Sequence, residues 1–389
     1  MAWTESQAQR FADPDFGLDP YFKRVVGRAE CSEKHLKYML QIVWPLLASY
    51  RLVIVGQRAM TTYTTLGMFA VGDRDLEHLG AGHVLYVDYP GKGKTLLASV
   101  PAIVLGGTFG HLQGDPEKTP TEYTGNRIRD IDEQGRPCWK FMAGPALCDI
   151  QLIDEVNRLS PDTMSAFLEG LCQGHITVFG ERHSVNPFVL FTMNPIETEG
   201  VRKLIEALLD RTMFKVTGEW FTAKQFADIL ERTNDYKRIR GMLKQVCSIG
   251  SVHEIREFFH KNIYVSRELR EGFAGRFAEA SNDPHRFGLL KDLHRQWNND
   301  KDGGDVIIKS GISGRGISHW EGAAKVLAAF RYRDYVTQDE FRKLLLPITR
   351  HRIKFAPGVL EFFTEKWDDC ADTNATADKI ILQLAKEAW

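Results

Sequence analysis

The 389-residue sequence predicts an α/β unit with a parallel sheet, followed by a mostly helical region. Three observations carry that expectation. From about residue 52 to 217, short apolar runs alternate with helical patterns, as strands joined by crossover helices do. One of these runs leads through a Gly-rich turn straight into a helical pattern at residues 83–98. From about 219 to 389 the strand signals fade and helical spacing takes over, as with Phe221, Ala227, Ile229 and Leu230, and with Val326, Leu327 and Phe330.

Composition bounds the class. Hydrophobic residues make up 43% and charged residues 26%, which excludes a disordered, collagen-like or disulfide-scaffold protein. Lys plus Arg is 50 and Asp plus Glu is 51, a formal net charge of −1. No general affinity for nucleic acid or an anionic membrane is therefore expected. No stretch reaches the roughly 18 apolar residues that a spanning helix needs. The segment from Met1 to Ser6 lacks a basic and apolar leader pattern, and the six cysteines (31, 138, 148, 172, 247, 370) form no C-x-x-C pair. Both features predict a cytoplasmic setting with buried structural thiols and no zinc site.

Residues 1–50 are expected to form a helical extension. Within it Ser32 caps a helix carrying Leu36, Met39, Leu40 and Val43, and Pro45 limits that helix. The strongest local signal follows at 83–98: a strand, then Asp88-Tyr89-Pro90-Gly91-Lys92-Gly93-Lys94-Thr95-Leu96, then a helix. This is the context of a P-loop, whose backbone and helix N-terminus wrap a phosphate. Gly91 and Gly93 turn tightly without a Cβ clash. Lys94 brings a point charge to the β- and γ-phosphates, and Thr95 offers its hydroxyl to Mg²⁺. Two residues depart from the pattern. Asp88 stands where a glycine is usual, and a carboxylate facing inward weakens anion binding. Pro101 falls inside the expected helix and should kink it.

Downstream, the apolar run 150–153 ends in Asp154 and Glu155. In a P-loop enzyme the first holds Mg²⁺ and the second polarises the attacking water. Adjacent carboxylates share a site only at a strand end, because strand side chains alternate. Ser160 and Pro161 then start a helix with Met164, Phe167, Leu168 and Leu171 on its apolar face, and Gly174 ends it. Residues 175–185 read as a hairpin, with His175 and His183 as packing or solvated groups. The strand 188–193 ends at Asn194, whose amide suits a water or the γ-phosphate. Residues 298–304 read as a polar loop. Ile380, Ile381, Leu384, Ala385 and Ala388 share one helical face and are expected in the core.

Taken in order, these motifs resemble the MoxR family of AAA+ ATPases. Ile54-Val55-Gly56-Gln57 is similar to its adenine-side motif, and His111 to Asp115 with Thr124-Gly125 to the segment after its second strand. Leu152 to Arg158 resembles its Walker B signature. The segments 168–170 and 180–181 are similar to its helix-2 insert, placed here at about 168–188. Asn194 to Glu197 with Glu199-Gly200 resembles sensor 1. Residues 206–211 resemble its arginine-finger helix, Gly311 to Arg315 its sensor 2, and Arg350 to Ile353 a run near its C-terminus.

The resemblance implies an AAA+ P-loop core with a parallel five-stranded sheet at 51–218, then a mostly helical lid domain with C-terminal helices at 219–389. It implies that ATP binds Val55, Gly56 and Gln57 as well as the loop, with Mg²⁺ at Thr95 and Asp154. Glu155, Asn194, Arg211 and Arg315 would be catalytic, with Arg211 reaching a neighbour's γ-phosphate and Arg315 acting on its own subunit's nucleotide. It further implies a ring, with six subunits as the family expectation. That ring would remodel a protein client, chaperone-like, with a von Willebrand factor A domain partner. The alternatives are a nucleotide-dependent binding switch or a metal-chelatase-type motor subunit. A nucleic-acid partner is not expected, because the segment assigned to the insert lacks an aromatic-plus-basic stripe.

Overall fold

The structure, a computed structural model, describes residues 31–74, 79–88, 91–194, 203–285, 287–299, 304 and 306–389. Pro90, residues 1–30, the run after Asn194 and most of the expected 298–304 loop lie outside them.

Five parallel strands form the central sheet: β1 (His83–Val87), β2 (Phe109–Gln113), β3 (Ile150–Asp154), β4 (Phe188–Met193) and β5 (Thr212–Thr217). Their order is β5-β1-β4-β3-β2. The inner strands are apolar almost throughout because both faces are covered. Alternation then sorts their side chains. Val84, Tyr86, Leu152 and Leu190 turn to one side; Leu85, Ile153, Val189 and Phe191 turn to the other. Each is 0 or 1% exposed, and burying one such side chain stabilises the fold by roughly 2 kcal/mol.

The first side packs against α1 (Trp44–Val53), α2 (Arg58–Phe69) and α3 (Lys94–Val104). The second packs against α4 (Pro161–Gln173) and α5 (Lys203–Arg211). The chain continues through α6 (Ala223–Gly241), α7 (Ile249–Asn262), α8 (Gly314–Phe330), α9 (Gln338–Thr349) and α10 (Thr373–Ala388), with shorter helical segments between them. α8 lies so close to the strand Val71–Arg74 that a Cβ at Gly322 would stand 2.4 Å from the Val71 carbonyl oxygen. In α10, Ile380, Ile381, Leu384 and Ala385 are core residues, 0–2% exposed. The final ring, Trp389, stacks on Phe273 with centroids 3.7 Å apart.

Local expectations held at several ends. The Ser32 and Ser160 side chains cap their helices, and Gly174 closes α4 with φ +63°. Phe179 and Gly180, both at positive φ, turn the 175–184 hairpin. Other local expectations need correction. Pro45 does not end the N-terminal helix; the chain passes through a π-helical turn, Met39–Val43, and Pro45 sits in the first turn of α1. Pro101 lies inside α3, and the Leu97 carbonyl that it leaves without a helical donor accepts from the Tyr50 hydroxyl on α1. The five cysteines whose side chains are described are partly buried rather than fully enclosed.

A second hairpin, Gly125–Ile131 with Pro137–Ala143, was not foreseen. It interrupts the helical path between β2 and β3, with Pro120–Thr124 before it and Pro145–Leu147 after it. Counting from α3, it falls in the second helical connection of the core. Residues 168–188, expected there, instead hold the end of α4 and the 175–184 hairpin beyond β3. The 125–143 hairpin is exposed on both faces, so no apolar alternation marks it in the sequence. It pairs Arg127 with Phe141 and Arg129 with Trp139 across the strands. The two hairpins meet where Phe141 stacks on His183, centroids 5.3 Å apart, and where Arg127 bonds Glu181 at 3.2 Å.

Candidate nucleotide site

The loop after β1 has the shape of a phosphate cradle. Gly91 and Gly93 take φ +87° and +79°, which favours glycine, and a Cβ on either would meet nothing within 4 Å. Lys94 opens α3 and its Nζ donates to the Asp88 carbonyl at 3.1 Å, so the ammonium lies across the loop. Thr95 is exposed in the first turn. The Asp88 carboxylate is buried and does not face the cradle. It lies against the end of β5, where a Cβ at Gly218 would be 1.7 Å from Asp88 Oδ2.

A short strap, residues 218–221, joins this loop to the adenine-side motif. Gln57, at φ +53°, donates to the Glu219 carbonyl at 2.8 Å and accepts from the Glu219 N–H at 3.1 Å. The Glu219 carboxylate accepts from the N–H groups of Ala59 (2.9 Å) and Arg58 (3.3 Å), closing the start of α2. Lys92 donates to the Glu219 carbonyl.

Between strap, loop and α6 lies a cavity of about 310 Å³, walled by Ile54, Val55, Leu96, Phe221, Ile229 and Tyr236. It is mostly apolar and open toward Gly91 and Gly93, which suits a heteroaromatic base next to a phosphate chain. Val55 and Leu96 both line this cavity. Gly56 lines a neighbouring cavity of about 350 Å³, and Gln57 serves the strap. The α6 wall was missed, although Ile229, Arg232 and Tyr236 recur at helical spacing. Arg232 closes the end of α1 by donating to the carbonyls of Arg51 (3.1 Å) and Leu52 (3.0 Å).

The carboxylates meet at the same end of the sheet. Asp154 is the last residue of β3 and accepts from the Thr192 hydroxyl. Glu155 follows in the left-handed region, φ +51°, and its N–H donates to Thr192 Oγ1 at 3.0 Å. That turn lets two neighbouring carboxylates leave a strand together. Arg158 bonds the Glu155 carboxylate at 2.8 Å. Gly114 fits beside them, since a Cβ there would be 2.1 Å from the Glu155 carbonyl oxygen. Asn194 follows β4, the strand between β1 and β3, so it stands between loop and carboxylates. Thr192 was missed; its signal was its place two residues before Asn194, on the same strand face.

The two arginines lie elsewhere. Thr212 pairs with His83 at the start of β1, and the strands run parallel. Arg211 is therefore one strand length, roughly 15 Å, from the cradle at the other end of β1. Its Nη1 donates to the Ala207 carbonyl at 3.0 Å. Arg315 forms an ion pair with Asp210, whose carboxylate also accepts from Ser313 Oγ at 2.6 Å. Burial pushes the Asp210 carboxyl up, but Ser313, Arg315 and Arg352 outweigh it and hold it below the usual range. Arg352, 5% exposed, donates to the carbonyls of Asp210 (3.1 Å) and Thr212 (2.7 Å), fixing the C-terminal helices to this end. The packing of α8 on α5 and β5 sets Arg315 against Asp210, the residue before Arg211.

Among the described residues no three His, Cys, Asp or Glu side chains gather for a metal. Thr95 and Asp154 offer oxygen donors, which fit Mg²⁺.

A parallel sheet in this order, with a glycine-lined loop after β1, paired carboxylates after β3 and a helical lid, defines an AAA+ module. The family model "ATPase family associated with various cellular activities" matches residues 83–214, and the AAA lid domain matches 305–365. Chaperone MoxR1 of Mycobacterium tuberculosis is 31% identical over 303 residues, 77% of this chain and 72% of that protein. Protein MoxR of Paracoccus denitrificans is 24% identical over 71% of this chain and 81% of that one. A solved candidate ATPase from Cytophaga hutchinsonii superposes with TM-score 0.72 at 25% identity, covering 90% of this chain and 96% of its own. The chain belongs to the MoxR family of AAA+ ATPases. Among the described residues no helix is long and apolar enough to cross a membrane.

Proposed function

We propose that this protein is an ATP-hydrolysing ring motor that remodels or activates a protein client. One observation carries the reading: Arg211 lies at the far end of β1 from the cradle of its own chain. An arginine so placed serves a neighbour's phosphates, so a complete site needs two subunits. Arg315 joins it on the same edge.

In this reading Val55, Leu96 and the α6 wall take the base, while the 91–95 backbone and Lys94 take the phosphates. Bound at Thr95 and Asp154, Mg²⁺ supplies charge neutralisation at the phosphates. Glu155 accepts the proton of the attacking water and Asn194 orients it. Arg158 competes for the Glu155 carboxylate, so hydrolysis requires that ion pair to open. The relative named a chaperone supports a protein client. A six-membered ring and a von Willebrand factor A domain partner rest on the family resemblance.

Steady-state ATPase rate against protein concentration tests the proposal, with Glu155→Gln as control. The rate per subunit should rise with concentration and vanish in the variant. A flat rate no higher than that of the variant would refute a shared site.

One observation favours a second reading. The exposed cross-strand pair Arg129 and Trp139 of the 125–143 hairpin suits stacked bases of a single strand. Salt-sensitive binding of a single-stranded oligonucleotide, lost in Trp139→Ala, would support it.

A further inference from the structure

Lys92 lies between the two turn glycines of the loop, yet it is only 6% exposed. Its amine turns from the cradle toward the strap. It donates to the Glu219 carbonyl and sits 4.6 Å from the centroid of Trp220 and 4.9 Å from that of Phe221. An ammonium held on two aromatic faces and a carbonyl is a charge-assisted tie. Trp220 is 78% exposed, so the hydrophobic core does not hold this ring in place.

The tie has a geometric consequence. Gln57 and the Glu219 carboxylate fix the near end of the strap to α2. Lys92 fixes the end that carries Phe221, and Phe221 is one wall of the base cavity. Ile54, Val55 and Leu96 line the same cavity. A flat slot holds a ring well only when both walls stay put.

We propose that Lys92 is a positioning residue that holds Phe221 as a wall of the base slot. The loop then carries two lysines with separate tasks: Lys94 addresses phosphate, and Lys92 sets affinity for the base. This rests on the nucleotide reading given above and names the part of the ligand that Lys92 governs.

The test compares ADP with inorganic pyrophosphate, which has no base, by titration calorimetry on the full chain. Lys92→Met should lower ADP affinity about tenfold and leave pyrophosphate affinity unchanged. Lys92→Arg, which keeps a cation on the rings, should restore ADP affinity. Trp220→Ala, at an exposed position, should weaken ADP selectively as well. Equal losses for ADP and pyrophosphate in both Lys92→Met and Trp220→Ala would overturn the proposal, as would unchanged ADP affinity in Lys92→Met. Failure of the unmodified protein to bind either probe would instead remove the nucleotide reading, and this proposal with it.

Discussion

The Tyr50 hydroxyl on α1 donates to the Leu97 carbonyl on α3 at 3.0 Å. Leu97 precedes Pro101 by four residues, so this is the carbonyl that the proline cannot bond. Burial pushes the Tyr50 phenol well above its usual pKa. A helix behind a P-loop thus tolerates an internal proline because another helix supplies the missing hydrogen bond. Tyr50→Phe should lower stability by about 1–3 kcal/mol. Urea unfolding checks this; an unchanged midpoint would mean the carbonyl finds water instead.

Lys94→Ala should abolish ATP binding, because the point charge over the loop is lost. Direct titration decides it, and unchanged affinity would remove the cradle assignment.

Arg211→Ala should bind ATP normally and lose on the order of 10³-fold or more in hydrolysis. Mixed with Glu155→Gln it should recover some activity. One subunit then supplies the base and the other supplies the arginine. Turnover by the Arg211→Ala protein alone at the unmodified rate would refute a role for that side chain.

Gly218→Ala should weaken ATP binding, since a Cβ there would collide with the Asp88 carboxylate and drive it toward the phosphates. Asp88→Gly should hold or raise affinity by itself and should rescue Gly218→Ala. An Asp88→Gly protein that binds ATP worse would show the carboxylate making a useful contact.

Burial, with Arg352 beside it, pushes His351 well below its usual 6.5. The folded state prefers the neutral ring, so its contribution is full above the unfolded value and fades as pH falls below it. Stability should decline below about pH 6.5, and His351→Gln should flatten that decline. Melting curves of both proteins across this range check it; parallel declines would exclude His351 as the cause.

The candidate site was legible where chemistry is local. The residues from Gly91 to Leu96, the pair Asp154 and Glu155, and Asn194 each sit at the end of an apolar run, and a strand followed by a polar end is a pattern in one segment. The α6 wall was not legible, because Ile229, Arg232 and Tyr236 become a base pocket only when that helix lies beside the loop. Thr192 looked like one more strand residue until its hydroxyl met Asp154. The 125–143 hairpin left no trace, since its strands are mostly exposed and only Phe141 packs against the core.

The sequence by itself determined the parallel sheet, the glycine turns and the order of the motifs, because these follow from apolar period and backbone freedom within single segments. Only the tertiary structure decided where the polar side chains point. Asp88 turns to Gly218, Lys92 to the aromatic strap and Arg315 to Asp210. Each direction is set by a partner more than 100 residues away in the chain, and no local pattern encodes such a partner.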